Sequence, residues 1–183
     1  MKLILAGLLL GALFGASAYS AGVTHSCPSK HCIDSSKITP VTDKAYFDAA
    51  CGLIKSARKT IYVMAFEVKY YVKNPESRQN KLVRELIYAK ERGVEVRVLV
   101  DEYSKENNAL DVLLENGVDI KYDGQIQTTH AKLLIVDGEK ILLGSTNLSF
   151  FGLEKNHEAN ILVEDYKTAY YYTDYFNKIW DET

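Results

Sequence analysis

Cysteine is scarce: Cys27, Cys32 and Cys51 are the whole complement of a 183-residue chain. Three thiols permit one disulfide and leave one over, and their spacing matches no strong zinc pattern. Basic residues do not dominate either. The formal charge is −2, which excludes the chain-wide positive footprint of a tight nucleic-acid binder. Any polyanionic substrate must therefore be met by a local cluster. After the first 20 residues no run is long and apolar enough to span a bilayer. No internal repeat is found, and the most distinctive pattern of the chain occurs once.

The single long apolar run lies at the start. Lys2 precedes Leu3 to Phe14, and small residues end in Ala16-Ser17-Ala18. A short basic start, an apolar centre and a small-x-small site predict a secretory signal peptide over 1–18, with an uncleaved anchor as the alternative. Export implies a periplasmic or secreted protein and permits a disulfide. No cysteine follows the apolar run closely enough for a lipoprotein site.

Residues 19–40 read as an irregular arm holding Cys27 and Cys32, and 41–183 as one domain. Helical spacing of Phe47, Cys51 and Ile54 predicts a helix over 43–58. Ile61 to Phe66 reads as a strand. Leu82, Leu86 and Ala89 set a second helix over 79–92, closed by Gly93. A strand over 94–100, a helix over 108–116 ended by Gly117, and strands over 118–122 and 159–163 follow. A last helix covers 165–180. Strands alternating with helices imply an α/β layered fold.

The chemistry concentrates in residues 130–147. His130-Ala131-Lys132 leads into the apolar run Leu133 to Val136, the hairpin signal Asp137-Gly138, a return strand over 140–143, and Gly144-Ser145-Thr146-Asn147. Residues two apart on a strand share a face, so an imidazole and an ammonium are expected side by side, an anion-binding pair that includes a nucleophile or proton carrier. The hairpin returns Ser145 and Asn147 to the same end. His130 with Lys132 alone would read as a strand-end histidine beside a solvated lysine. Six typed positions at fixed spacing within eighteen residues do not.

The spacing His-x-Lys-x4-Asp-x6-Gly-Ser-x-Asn resembles the signature of the phospholipase D superfamily. From about Val41 onward the chain looks like a small secreted bacterial nuclease of that family. The resemblance implies a layered fold with a central mixed β-sheet flanked by helices and one motif per chain. Because the family site needs two facing motifs, it implies a homodimer with the site on its two-fold axis. It also implies phosphoryl transfer through a covalent phosphohistidine, without cofactor or metal. His130 of one subunit would be the nucleophile, and the same residue of the other the acid and base. Lys132 and Asn147 would hold the non-bridging oxygens, with Ser145 in the same pocket. Glu158 would accept a hydrogen bond from the histidine ring. Asp137 belongs to the motif, yet seven extended residues cover roughly 23 Å, so a structural role at the turn is expected for it.

Nucleic acid, single-stranded DNA first and RNA second, is the expected substrate. Lys69, Lys73, Arg78, Lys81 and Arg84 could supply a phosphate-binding cluster or a solvated helix face. Tyr70-Tyr71 could stack bases, whereas Tyr170 to Tyr172 are expected to pack inside. A phospholipase acting on membrane phospholipid is the alternative, hinted at only by Phe150-Phe151-Gly152-Leu153, which is expected to be a packed loop. A non-catalytic DNA-capture module is the other. Some relatives carry a zinc module, which would draw on Cys27, His31, Cys32 and Cys51. A disulfide, between Cys27 and Cys32 or from the arm to Cys51, is the preferred reading. Cys51 could equally be a buried small hydrophobe. His25, His31 and His157 are expected to have no catalytic role.

Overall fold

A computed structural model describes residues 32–102, 109–124 and 127–183. Aliphatic and β-branched runs form the strands β1 (Ile38–Thr42), β2 (Thr60–Ala65), β3 (Glu95–Val100), β4 (Asp119–Tyr122), β5 (Leu133–Val136), β6 (Lys140–Gly144) and β7 (Ala159–Val163). They make one seven-stranded sheet in the order β1-β7-β6-β5-β2-β3-β4. β2, β3 and β4 run parallel, and the remaining pairings are antiparallel. The helices are α1 (Ala45–Ser56), α2 (Arg78–Glu91), α3 (Ala109–Glu115) and α4 (Tyr166–Glu182).

Alternation along the strands feeds two cores. Val63, Val98, Leu134 and Leu142 meet Tyr46, Leu53, Leu82, Leu86 and Leu113 from α1, α2 and α3. Tyr62, Met64, Leu133, Ile135 and Ile141 face Ala169, Phe176 and Trp180 of α4. The Phe176 ring stacks on Tyr62 at 4.8 Å and on Trp180 at 5.6 Å. This is the helix-flanked mixed sheet that the motif implied.

Predicted and observed elements agree within about two residues, with instructive exceptions. β1 lies in a stretch read as irregular. It is short, contains Pro40, and pairs only with β7. Proline is tolerated there because an edge strand leaves one side of its backbone unpaired. The first helix begins at Ala45 rather than residue 43, since Asp43 sits at φ 49 and turns the chain. Residues Phe151–Lys155 form a π-helical turn that no periodicity announced. Cys32 is disulfide-bonded and Cys51 is a free, half-buried thiol whose pKa burial pushes up to about 11. Cys32 is therefore not available to the zinc alternative, while Cys27, His25, His31 and the proposed leader lie outside the described residues. Among the described residues no helix is long and apolar enough to cross a membrane.

The β5–β6 hairpin turns at Asp137 (φ 56) and Gly138 (φ 65), and the Glu139 N–H donates to Val136 O at 3.0 Å. Two successive left-handed residues suit the right-handed twist of a hairpin. The Asp137 carboxylate crosses to the start of β2 and accepts three backbone N–H groups: Arg58 (3.0 Å), Lys59 (2.7 Å) and Thr60 (2.9 Å). Partial burial pushes its pKa up, but the three N–H donors and the Lys59 charge outweigh that and hold it below the ordinary 3.8. A depressed carboxylate pKa contributes stability above its unfolded value, and loses it as pH falls through the folded value. Asp137→Ala is therefore expected to cost about 2 kcal/mol in urea unfolding at pH 7. The cost should shrink as the pH drops below 3.8.

Candidate active site

The site forms where β2, β5, β6 and β7 end together. β5 itself begins at Leu133, so His130 to Lys132 form its lead-in rather than part of the strand. The return strand comes back beside it, and the Gly144 N–H donates to Lys132 O at 3.2 Å. The antiparallel register Met64↔Leu133 carries Phe66, just past β2, up to this lead-in. The Phe66 ring lies 5.0 Å from the His130 ring and 5.3 Å from Lys132 Nζ. The histidine and lysine thus share one side through a common aromatic support.

Their environments differ. His130 is exposed, and its ring makes no hydrogen bond among the described residues. Lys132 is 7 % exposed, and its ammonium donates to His130 O at 2.7 Å. Burial lowers the Lys132 pKa, opposed by the negative charges of Glu158 and Glu67. An ammonium so placed is a short-range clamp for an anion, poorly hydrated beforehand.

Glu158 is buried and held from four directions. Its side chain takes hydrogen bonds from the Ser145 hydroxyl and from Asn156 Nδ2 (3.0 Å). Its N–H donates to the Asp43 carboxylate at 2.8 Å, and its carbonyl accepts the Asp43 N–H at 3.0 Å. Ser145 Oγ also accepts the Ala159 N–H at 3.1 Å. The expected bond between Glu158 and the His130 ring is not formed in the single chain; Ser145 and Asn156 take its place. Asn147 lies on the turn after β6, and its Oδ1 is buried with no hydrogen-bond partner among the described residues. Its backbone is pressed against Gly152 of the π-helical turn, where a Cβ would sit 2.3 Å from Asn147 O. The motif therefore brings His130, Lys132, Ser145 and Asn147 to one end with Glu158. Asp137 stays at the opposite end of the hairpin, tied to β2.

Other expectations change. Four of the five cations of the basic cluster pair with three acids: Lys69 with Glu67 (3.2 Å), Arg78 with Glu154 (3.3 Å), and Lys81 and Arg84 with Glu76; Lys73 is the fifth. Tyr71 is fixed in orientation, its hydroxyl accepting the Phe150 N–H at 3.1 Å, and Tyr70 packs against the core. Phe150 and Phe151 are exposed, unlike Gly152 and Leu153, so the segment is not packed throughout. Tyr170 and Tyr171 are also exposed, and only Tyr172 of that run packs on the core. His157 is exposed and faces Asp43 at 3.6 Å. Sequence reasoning missed Phe66 and Asp43. Both stand outside the motif, and only strand pairing brings them to it.

The family model described as "Cardiolipin synthase, PLD-like domain" matches residues 50–180. The chain belongs to the phospholipase D superfamily. Among curated relatives, mouse mitochondrial cardiolipin hydrolase is 30% identical over 94 residues, covering 50% of this chain and 42% of the relative. A phospholipase D of Rickettsia prowazekii (strain Madrid E) is 30% identical over 118 residues, covering 63% and 53%. The chain thus spans about half the length of the curated relatives it matches. Among solved structures, Nuc from Salmonella typhimurium, a phospholipase D family member, superposes with a TM-score of 0.66 at 22% identity, covering 79% of this chain and 93% of that one. NucT from Helicobacter pylori gives 0.62 at 17% identity, covering 79% and 96%. These likenesses give the superfamily fold.

The superfamily's lysine position is costly here. Because Lys132 loses its proton more readily folded than unfolded, the unfolded chain binds more protons at alkaline pH. Lys132→Met removes this burial cost and is therefore expected to raise the melting temperature at pH 7, less the lost hydrogen bond to His130 O. Scanning calorimetry should show that gain fading as the pH approaches the ordinary lysine value of 10.5.

Proposed function

We propose that the protein is a phosphodiester hydrolase that works without a metal through a covalent phosphohistidine. The observation that carries this reading is the solvent-facing His130 ring resting on the same Phe66 ring as the buried Lys132 ammonium. In the first step His130 attacks phosphorus, the phosphorus–oxygen bond to the leaving group breaks, and a proton passes to the departing alkoxide. In the second, water attacks the phosphohistidine, gives up a proton, and releases the phosphate ester and free imidazole. Lys132 meets the negative charge on the non-bridging oxygens as it grows.

One chain supplies one such histidine. A second copy, related by a two-fold axis, would supply the acid and base as well as another Lys132 and Asn147. The exposed His130 ring, which makes no hydrogen bond among the described residues, fits a site completed by another molecule. Ser145 and Asn156 hold Glu158 as a fixed negative charge near Lys132, a positioning role. The substrate we favour is single-stranded DNA, with RNA second, for a protein exported by its apolar leader. The pairing of Lys69, Arg78, Lys81 and Arg84 with three acids weakens that face as a phosphate-binding surface and puts more of the binding on the site itself.

Membrane phospholipid is the second reading, and one observation favours it: Phe150 and Phe151 are exposed three and four residues beyond Asn147. Exposed aromatic side chains that follow the motif this closely suit an interfacial substrate.

The test incubates purified protein in excess EDTA with single-stranded DNA, duplex DNA, RNA and phospholipid vesicles. Cleavage of single-stranded DNA is expected, and His130→Ala should reduce it by at least about a thousandfold. Retention of activity in that variant would sink the mechanism, and head-group release without strand cleavage would select the lipid reading. Light scattering is expected to return twice the chain mass.

A further inference from the structure

A shallow pocket opens beside the motif. Lys132 and Gly144 lie on one side, and Tyr171, Tyr172 and Tyr175 of α4 on the other. Tyr175 also lines a wider cleft with His130, Thr128, Thr129 and Lys178. It therefore stands where the two openings join, in reach of both the nucleophile's cleft and the ammonium's pocket. Tyr171 is 60% exposed and Tyr175 43%.

The exposure needs explaining. α4 already buries Ala169, Phe176 and Trp180 against the sheet, with Tyr172 packed beside them and the Tyr171 ring edge-on to Tyr172 at 5.4 Å, so the exposed faces of Tyr171 and Tyr175 are not what anchors the helix. Residues four apart on a helix share a face and rise about 6 Å, far enough apart to receive two separate bases. Stacking on an aromatic face suits any base, but requires that the base not be paired and stacked in a duplex. Lys178, in the same cleft, has the charge to meet a backbone phosphate. The acids of that cleft are Asp123 and Glu182. Asp123 is already committed to the N–H groups of Glu102 and Thr129.

We propose that Tyr171 and Tyr175 form a stacking platform for the bases next to the scissile phosphate of a single-stranded nucleic acid. Lys178 holds a neighbouring phosphate of the same strand. This rests on the phosphodiesterase reading above and adds to it a means of selecting unpaired strands.

The experiment compares an oligothymidylate with an abasic strand of equal length. The substrates are presented to the wild type, a Tyr171→Ala/Tyr175→Ala double variant and the corresponding double Phe variant. The Ala pair is expected to raise KM on oligothymidylate about tenfold with little change in kcat. The Phe pair should stay near the wild type, and the Ala penalty should shrink to less than about twofold on the abasic strand. Tyr88→Ala, on the solvent side of α2, serves as the surface control and should change nothing. An unchanged KM in the Ala pair, an equal loss on both strands, or a loss shared by the Phe pair would overturn the platform while leaving the hydrolase standing. A wild type that cleaves vesicle lipid and no strand would instead remove the reading beneath it.

Discussion

No side chain fits at Gly144. A Cβ there would lie 2.3 Å from Asn160 Oδ1 and 2.4 Å from Ala159 O, so β6 and β7 come together at this point only because the residue is glycine. The placement of Ser145, Glu158 and Asn160 follows from that approach. Ser145 can accept from Ala159 and reach Glu158 because the two strands are this close. Asn160 can bind Thr146 through its amide and Val41 across the sheet. Asp43 then pins the backbone of Glu158 from the other side. A second close approach, Gly152 against Asn147, repeats the device one turn later. The polar groups are set by backbone packing first and by side-chain bonds second.

Much of this was legible in the chain. The helix positions follow from repeating Leu and Ala residues and from terminal glycines, such as Gly93 at φ 88. The hairpin follows from Asp137-Gly138, and the convergence of His130, Lys132, Ser145 and Asn147 follows from hairpin parity. What was missed depends on partners far away in sequence. β1 has too little apolar character to declare itself, and is a strand because β7 pairs with it. Phe66 looks like the last residue of a buried strand until β5 is laid beside it. The role of Asp43 requires knowing that Glu158 is its neighbour, 115 residues away.

The expected contact between Glu158 and His130 failed for a related reason. Sequence supplied the carboxylate and the imidazole but not the competitors. Ser145 and Asn156 lie within reach of the same oxygens, and local bonds win over a ring that points to solvent. The basic cluster shows the same competition at the surface, since Glu67, Glu76 and Glu154 sit close enough to satisfy its members. Exposed ion pairs of this kind add little stability, but they weaken the local field that the lysines and arginines alone would have made.

The two ends of the β5–β6 hairpin are bound into different obligations. At one end the Asp137 carboxylate is fastened to three amides of a distant loop. At the other the same two strands present the reactive groups. A shift of one residue in this pairing would reverse which face each side chain occupies. It would leave the carboxylate without its amides at the same moment that it turned Lys132 away from Phe66. The hairpin thus cannot drift toward a new chemistry by gradual changes of register. Variation in this molecule must enter through the loops and helix faces around it, while the ladder itself is inherited whole.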